Sequence, residues 1–170
     1  DFMAVVRFHA PVEFSPEYCE RVNRSRALVE KWVEEEKVMY GVTTGFGALC
    51  TKAISKEETA KLQENIILSH SVSVGKPLPE EAVRGTLLMM LQNLGQGYSG
   101  VRLEVLEQIR QFLNRGITPW APGDGSVGYL SPEAHMALVL TGRGKAWYQG
   151  QLLEGREALE KAGLAPLALA

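Results

Sequence analysis

The sequence alternates between stretches that repeat apolar residues at helical spacing and loops that are rich in glycine and proline. Apolar residues that recur at this spacing predict helices with one buried face. The predicted helices cover residues 15–33, 55–70, 80–96, 101–114, 131–140 and 154–162. Short strands are expected only within residues 1–14 and 147–153, so the chain is predicted to be mainly α-helical.

Three of the predicted helices begin with a recognisable start signal. Ser15 and Ser131 are each followed by proline and glutamate, an order in which serine caps the helix and the acid faces its positive end. Ser55 and Glu58 form a capping box. These signals place the helix starts independently of the apolar pattern.

Composition excludes several classes of protein. The 170 residues suffice for one hydrophobic core, so residues 1–170 are taken as a single domain. The 18 basic and 20 acidic side chains give a net charge of −2, unlike the basic surface of a nucleic-acid-binding protein. No apolar run approaches the ~20 residues that cross a bilayer, and no signal peptide is recognised. Cys19 and Cys50 lack zinc or disulfide spacing, so a reducing, cytoplasmic location is expected.

The first glycine-rich loop covers residues 40–47 and begins with Tyr40. Its glycines do not form a phosphate-binding loop, because no Lys-Ser/Thr ending and no buried strand accompany them. One interpretation is a tight packing loop. The other is a loop that presents Tyr40 as a base, which requires neighbours that lower its pKa from about 10.

The second glycine-rich loop, residues 125–128, lies just before the helix that begins at Ser131. A helix N-terminus carries free N–H groups and partial positive charge, which suit an anion or an electrophile. An ordinary connector followed by a cap is the alternative. Of the three histidines, no two have metal-binding spacing, so no metal site is expected. His135 is expected to be a core histidine with a satisfied ring, and His70 is a candidate ligand-binding group.

Several motifs, in order, resemble those of the aromatic amino acid ammonia-lyase family, which includes histidine, phenylalanine and tyrosine ammonia-lyases and related aminomutases. The matching segments are residues 40–47, 62–65, 69–70, 74–78, 97–102, 125–128 and 134–138. The resemblance extends over nearly the whole chain. It implies the N-terminal part of the helical ammonia-lyase fold, which belongs to the fumarase/aspartase-like superfamily.

The resemblance also implies a mechanism. In this family an internal Ala-Ser-Gly triplet cyclises and loses water to form the electrophile methylidene-imidazolone (MIO), while a tyrosine base removes a β-proton from the substrate. Tyr40 matches that tyrosine, and His70 matches a histidine that faces the substrate side chain. The loops are completed by residues that support the tyrosine or flank the cofactor: Gly45, Phe46, Gly47, Gly125, Ser126, Val127, Gly128 and Tyr129. Family active sites are shared within a homotetramer, so a homotetramer is expected, with no nucleic-acid or membrane partner.

Two departures from the family pattern bear on activity. Where the family continues from Gly-Ser-Val-Gly into Ala-Ser-Gly and then Asp-Leu-Ala-Pro, Gly128 is followed directly by Tyr129-Leu130-Ser131-Pro132. The three missing residues are those that form MIO, which favours a modified residue left out of the written sequence over a true deletion. The chain also stops at Ala170, whereas the remaining family active-site residues lie downstream, so this chain is expected to hold an incomplete site.

The substrate signals conflict. Thr43 follows the phenylalanine and tyrosine lyases, Ser69-His70 resembles histidine lyases and tyrosine aminomutases, and Ser73 stands where many relatives carry glycine. The resemblance therefore implies ammonia elimination from an aromatic L-amino acid, with histidine slightly ahead of tyrosine and phenylalanine. An MIO-dependent aminomutase and a cofactor-less, non-catalytic homologue are the alternatives.

Overall fold

The computed structural model describes residues 1–45, 56–125 and 131–169. Within these ranges the chain forms seven helices and five short strands. The helices are α1 (Phe2–Phe8), α2 (Pro16–Glu34), α3 (Lys56–His70), α4 (Glu80–Leu94), α5 (Leu103–Arg115), α6 (Ser131–Leu140) and α7 (Gly155–Lys161). The strands are β1 (Val74–Pro77), β2 (Thr118–Pro119), β3 (Pro122–Asp124), β4 (Lys145–Tyr148) and β5 (Gln151–Glu154). The mainly α-helical class is confirmed.

The start of α2 follows the predicted signal. Ser15 has extended backbone geometry, and its hydroxyl accepts a hydrogen bond from the backbone N–H of Tyr18 at 3.2 Å. Pro16 occupies the first helical position, where no backbone N–H is needed. The second cap signal, at Ser55, lies outside the described residues.

The N-terminal segment is a helix, so the expectation of a strand there is wrong. The physical reason is a partner distant in sequence: the guanidinium of Arg84 on α4 donates to the backbone oxygens of Val5 and Val6 at 2.7 and 3.2 Å. A helix end leaves such carbonyls without internal partners. Arg84 also donates to the oxygen of Leu113 at 3.2 Å, and it is fully buried.

The core lies where α4, α5, α6 and α7 pack together. Its members are aliphatic and aromatic side chains that are almost completely excluded from solvent, including Leu87, Leu106, Ile109, Phe112, Val139 and Leu159. Burying one such side chain stabilises a fold by about 1.5–3 kcal/mol. The apolar residues that recur at helical spacing in the sequence are therefore the ones that form the core, as expected.

The strands form two small antiparallel sheets. In the first, β2, β4 and β5 lie in the order β2-β4-β5, which confirms the strands expected near residues 147–153. In the second, β1 pairs with β3, with Val74 opposite Asp124. The segment between α5 and α6 is thus more than the connector that its glycines and prolines suggest. The β1–β3 pairing brings the end of α3 close to the start of α6.

No described helix has both the length and the apolar character needed to cross a membrane.

Candidate functional site

Ser73, three residues after His70, is the point at which the candidate site comes together. It lies just before β1, and the pairing of β1 with β3 puts it beside Gly125, which follows β3. A Cβ added to Gly125 would lie 3.3 Å from the Cα of Ser73, and Gly125 has a φ of +115°. Only glycine adopts such a backbone and approaches another chain segment this closely without strain. One of the predicted cofactor-flanking residues is thus held against Ser73.

The start of α6 meets Ser73 from the other side. Ser131, the first residue of α6, is fully buried, and its hydroxyl lies within hydrogen-bond distance of the hydroxyl of Ser73. It also donates to the backbone oxygen of His70 at 3.4 Å. The start signal predicts that this serine caps its own helix, but these contacts direct its hydroxyl towards α3. Residues before and after segment 126–130 therefore both contact Ser73.

His135 adds a third contact, one helical turn beyond Ser131. Its Nε2 accepts the backbone N–H of Ser73 at 3.1 Å, so this ring nitrogen has a partner, while the ring itself is half-buried rather than in the core. Burial lowers the pKa of the imidazole from its ordinary value, because a charged ring loses solvation in the interior. The neutral ring with an accepting Nε2 carries its proton on Nδ1.

His70 is oriented by its own helix. Its Nδ1 lies 2.9 Å from the backbone oxygen of Ile66 and 3.1 Å from the hydroxyl of Ser69. A carbonyl oxygen only accepts, so the bond to Ile66 assigns the proton to Nδ1. In the neutral ring Nε2 then carries the lone pair, which can accept a hydrogen bond from an N–H or O–H group of a ligand.

Tyr40 lies on a separate turn that its neighbours hold by hydrogen bonds. The N–H groups of Val42 and Thr43 both donate to the oxygen of Met39, at 3.1 and 3.0 Å. The hydroxyl of Thr43 accepts from the Met39 N–H at 2.9 Å and donates to the Lys37 oxygen at 2.6 Å. The side chain of Tyr40 is 66% exposed. The turn therefore presents the tyrosine at the surface of this part of the protein.

A cavity of about 590 Å³ connects the tyrosine turn with α3. Gly41 and Val42 line one side, and Gln63 and Ile67 line another, two turns and one turn before His70. Neither Tyr40 nor His70 lines this cavity. The end of α3 that bears His70 and the residue Gly125 thus meet near Ser73. The turn of Tyr40 faces α3 across the cavity, and the described residues do not enclose a complete site.

The other predicted site residues fall partly outside the described ranges. Gly45 is buried at the end of the tyrosine turn. Those outside the described residues are Phe46, Gly47, Ser126, Val127, Gly128 and Tyr129. The described part of the chain contains no group of three His, Cys, Asp or Glu side chains that could hold a metal ion.

Sequence reasoning did not predict the roles of Ser73 and Ser131. The available signal was the spacing of Ser131 and His135, which places both on one face of α6. Their common partner, Ser73, is 58 residues from Ser131 and 62 residues from His135 in the sequence. Only the fold shows that these residues are in contact.

An MIO group requires an internal Ala-Ser-Gly triplet. The written sequence contains no Ala-Ser-Gly triplet, and Gly128 is joined directly to Tyr129. The residues of this chain as written therefore do not form the group.

The fold and these ordered segments define a mainly helical protein with an incomplete candidate site. The family model described as aromatic amino acid lyase matches residues 1–170, and the chain belongs to this family. Histidine ammonia-lyase from Streptococcus sanguinis is 49% identical over 173 aligned positions, which cover 100% of this chain and 34% of that enzyme. Since 173 − 170 = 3, three aligned positions of that enzyme have no counterpart here.

Two solved structures share the fold. Phenylalanine aminomutase from Pantoea agglomerans has a TM-score of 0.95 at 37% identity, over 99% of this chain and 33% of its own. Ergothionase from Treponema denticola, an ergothioneine-degrading enzyme, has a TM-score of 0.96 at 31% identity, over 100% of this chain and 35% of its own. The chain thus spans about a third of the length of these relatives.

Proposed function

We propose that the full-length protein that contains this chain is a carbon–nitrogen lyase that eliminates ammonia from an aromatic L-amino acid. One observation carries the proposal: within a chain of the aromatic lyase family, the helix end that bears His70 meets Gly125 and the start of α6 at Ser73. Histidine is placed ahead of tyrosine and phenylalanine, and the named relative from Streptococcus sanguinis acts on histidine.

In this proposal His70 binds the substrate side chain. Its Nδ1 is engaged with the oxygen of Ile66, so Nε2 is the nitrogen that faces a ligand as an acceptor. An imidazole N–H or a phenol O–H would satisfy it, whereas an unsubstituted phenyl ring would leave it unpaired. A buried group left unpaired disfavours that substrate. This asymmetry supports histidine and tyrosine over phenylalanine.

Tyr40 is proposed as the base that removes the β-proton. A tyrosine acts as a base near neutral pH only when its surroundings in the complete protein favour the phenolate. Replacing Tyr40 with phenylalanine in the full-length protein removes the ionisable oxygen and keeps the ring. We expect turnover to be abolished while the circular dichroism spectrum is unchanged, and retained turnover would exclude Tyr40 as the base.

The cofactor is a separate element of the proposal. An MIO group between Gly128 and Tyr129 would supply an electrophile for the substrate nitrogen. The mass of the peptide that spans these two residues decides its presence. Additional mass equal to a dehydrated Ala-Ser-Gly triplet supports MIO, and the mass of a direct Gly128–Tyr129 linkage refutes it.

The reaction is tested by incubating the purified full-length protein with histidine, tyrosine and phenylalanine. Absorbance of an α,β-unsaturated aromatic acid, with stoichiometric ammonia, supports the lyase. A β-amino acid product without net ammonia release indicates an aminomutase, the activity named for the Pantoea agglomerans neighbour. The absence of both products from all three substrates would refute ammonia elimination. A homotetramer is proposed for the full-length protein, and its molar mass in solution tests this.

A second candidate is favoured by the missing triplet. Without an electrophile, elimination requires a nitrogen that leaves readily by itself, such as a quaternary ammonium group that departs as a tertiary amine. The base takes the β-proton, and the electrons of that C–H bond form the double bond between Cα and Cβ. The C–N bond breaks, and its electron pair remains on the departing nitrogen. The Treponema denticola neighbour, named as an ergothioneine-degrading enzyme, supports assaying ergothioneine. Release of trimethylamine from ergothioneine, with no ammonia from free amino acids, would select this candidate.

A further inference from the structure

We propose that Ser73 is a positioning residue that holds the end of α3, with His70, in register with Gly125 and the start of α6. The expected effect of Ser73 on catalysis rests on the proposed function. Its expected effect on local rigidity rests on the structure alone. The basis of this positioning role is that three groups of one buried serine contact three different residues. The hydroxyl contacts Ser131, the backbone N–H contacts His135, and the Cα lies against Gly125.

The hydroxyl groups form a directional chain. Ser131 has a single hydroxyl proton and directs it to the oxygen of His70 at 3.4 Å. With Ser131 donating to His70, the hydroxyl of Ser73 is placed to donate to the oxygen of Ser131. The order Ser73 to Ser131 to His70 ties the last carbonyl of α3, which its own helix leaves unpaired, to the first residue of α6. Neighbouring hydrogen bonds in such a chain strengthen one another.

Burial makes the chain hard to replace with water. Ser131 is 0% exposed and Ser73 is 7% exposed. If one hydroxyl is removed, the other remains buried with an incomplete set of partners, which is unfavourable. If both are removed, no orphaned hydroxyl remains, but the connection between the two helices is also lost.

The remaining contacts of Ser73 hold its backbone. Its N–H donates to Nε2 of His135 at 3.1 Å, and its Cα lies 3.3 Å from the position of a Cβ on Gly125. Ser73 is therefore bounded on both sides, and the two intervening residues, Ser71 and Val72, transmit its position to His70. A displacement of this unit moves a proposed substrate-binding group relative to Gly125. Misplacing reacting groups by about 1 Å costs up to about 100-fold in rate.

The test uses the full-length protein with S73A, S131A and the double variant S73A/S131A. We expect each single variant to lower kcat/KM about tenfold, mainly through kcat. We expect the double variant to lose no more than the more affected single variant, because both serines act through the same hydrogen-bonded chain. The matched control is Ser25→Ala, which removes a serine hydroxyl that accepts the N–H of Gly100 at 2.9 Å, away from this cluster. It should keep kcat/KM within twofold.

Losses that multiply in the double variant, values within twofold of the parent, or an equal loss in the control would each overturn the proposal. If a single variant does not fold, the double variant S73A/S131A carries the same test, since it removes both hydroxyls and leaves neither one orphaned. It should fold and retain the tenfold loss in kcat/KM.

A second measurement is independent of turnover. Hydrogen–deuterium exchange of peptides that cover residues 70–75 and 131–136 should accelerate in S73A and S131A and remain unchanged in Ser25→Ala. Unchanged exchange in the two variants would refute the positioning role even if the parent is active. If exchange is faster in the two variants but the parent protein shows no turnover, the positioning role is retained and the proposed lyase activity is rejected.

Discussion

The backbone N–H of Ser73 donates to Nε2 of His135 across 3.1 Å, so this imidazole must stay neutral to keep the bond. Burial lowers the pKa of His135. The unfolded chain therefore takes up a proton at this residue at higher pH than the folded protein does, near its ordinary value of about 6.5. The resulting stability is present above that value and is lost as the pH falls below it.

The corresponding prediction concerns His135→Gln, which replaces the ring with an acceptor that does not titrate. The free energy of unfolding of the parent should fall between about pH 7 and pH 5, and the variant should show a shallower fall. Urea denaturation across this pH range measures both. Equal slopes for the parent and His135→Gln would contradict the assignment.

Arg84 should be among the most sensitive positions in the fold. Its buried guanidinium serves three backbone oxygens, on Val5, Val6 and Leu113. We expect Arg84→Met to destabilise the protein by about 3 kcal/mol, because these buried acceptors lose charged donors. Arg7→Met is the control, since it removes an exposed ion pair with Glu81 at 2.8 Å between the same two helices. Its cost should be below about 1 kcal/mol by urea denaturation, and similar costs for both variants would refute the role of Arg84.

Gly97, in one of the family motifs, is required by a close approach to α2. It has a φ of +80°, and a Cβ there would lie 2.7 Å from the backbone oxygen of Arg21. Gly116 has a similar φ of +71° but no atom within 4 Å of such a Cβ. Gly116→Ala should therefore cost about 1 kcal/mol for the backbone alone, and Gly97→Ala about 3 kcal/mol because overpacking is added. Equal shifts in the urea midpoint would show that contact with α2 is unimportant.

Tyr18 should ionise only at strongly alkaline pH. Burial raises its pKa to about 12, and its hydroxyl donates to the oxygen of Leu91 at 2.8 Å. A spectrophotometric titration of the phenolate should lose a component with a pKa of about 12 in Tyr18→Phe. The unfolded chain ionises near pH 10, so stability attributed to Tyr18 is lost as the pH rises above about 10. A titration curve of the same shape with one tyrosine fewer would contradict this assignment.

Much of the fold could be predicted from local sequence. The Ser15 cap, the apolar face of α5 and the strands near residue 147 are set by short-range chemistry, and the structure agrees with each. The expected N-terminal strand was wrong because α1 depends on Arg84, more than 70 residues away. Local propensity contains no information about such a partner.

The candidate site likewise combines features that the local sequence predicts with contacts that only the fold creates. By itself, the sequence determined the positions of α2 to α7, the two glycine-rich loops, the absence of an Ala-Ser-Gly triplet after Gly128 and the motifs that resemble a lyase family. Helical periodicity, caps and residue order are local properties. Only the tertiary structure decided that Ser73 contacts Gly125, Ser131 and His135 together. Those contacts exist because β1 pairs with β3 and places α6 against the end of α3, and such long-range pairing depends on the packing of the whole chain rather than on any one segment.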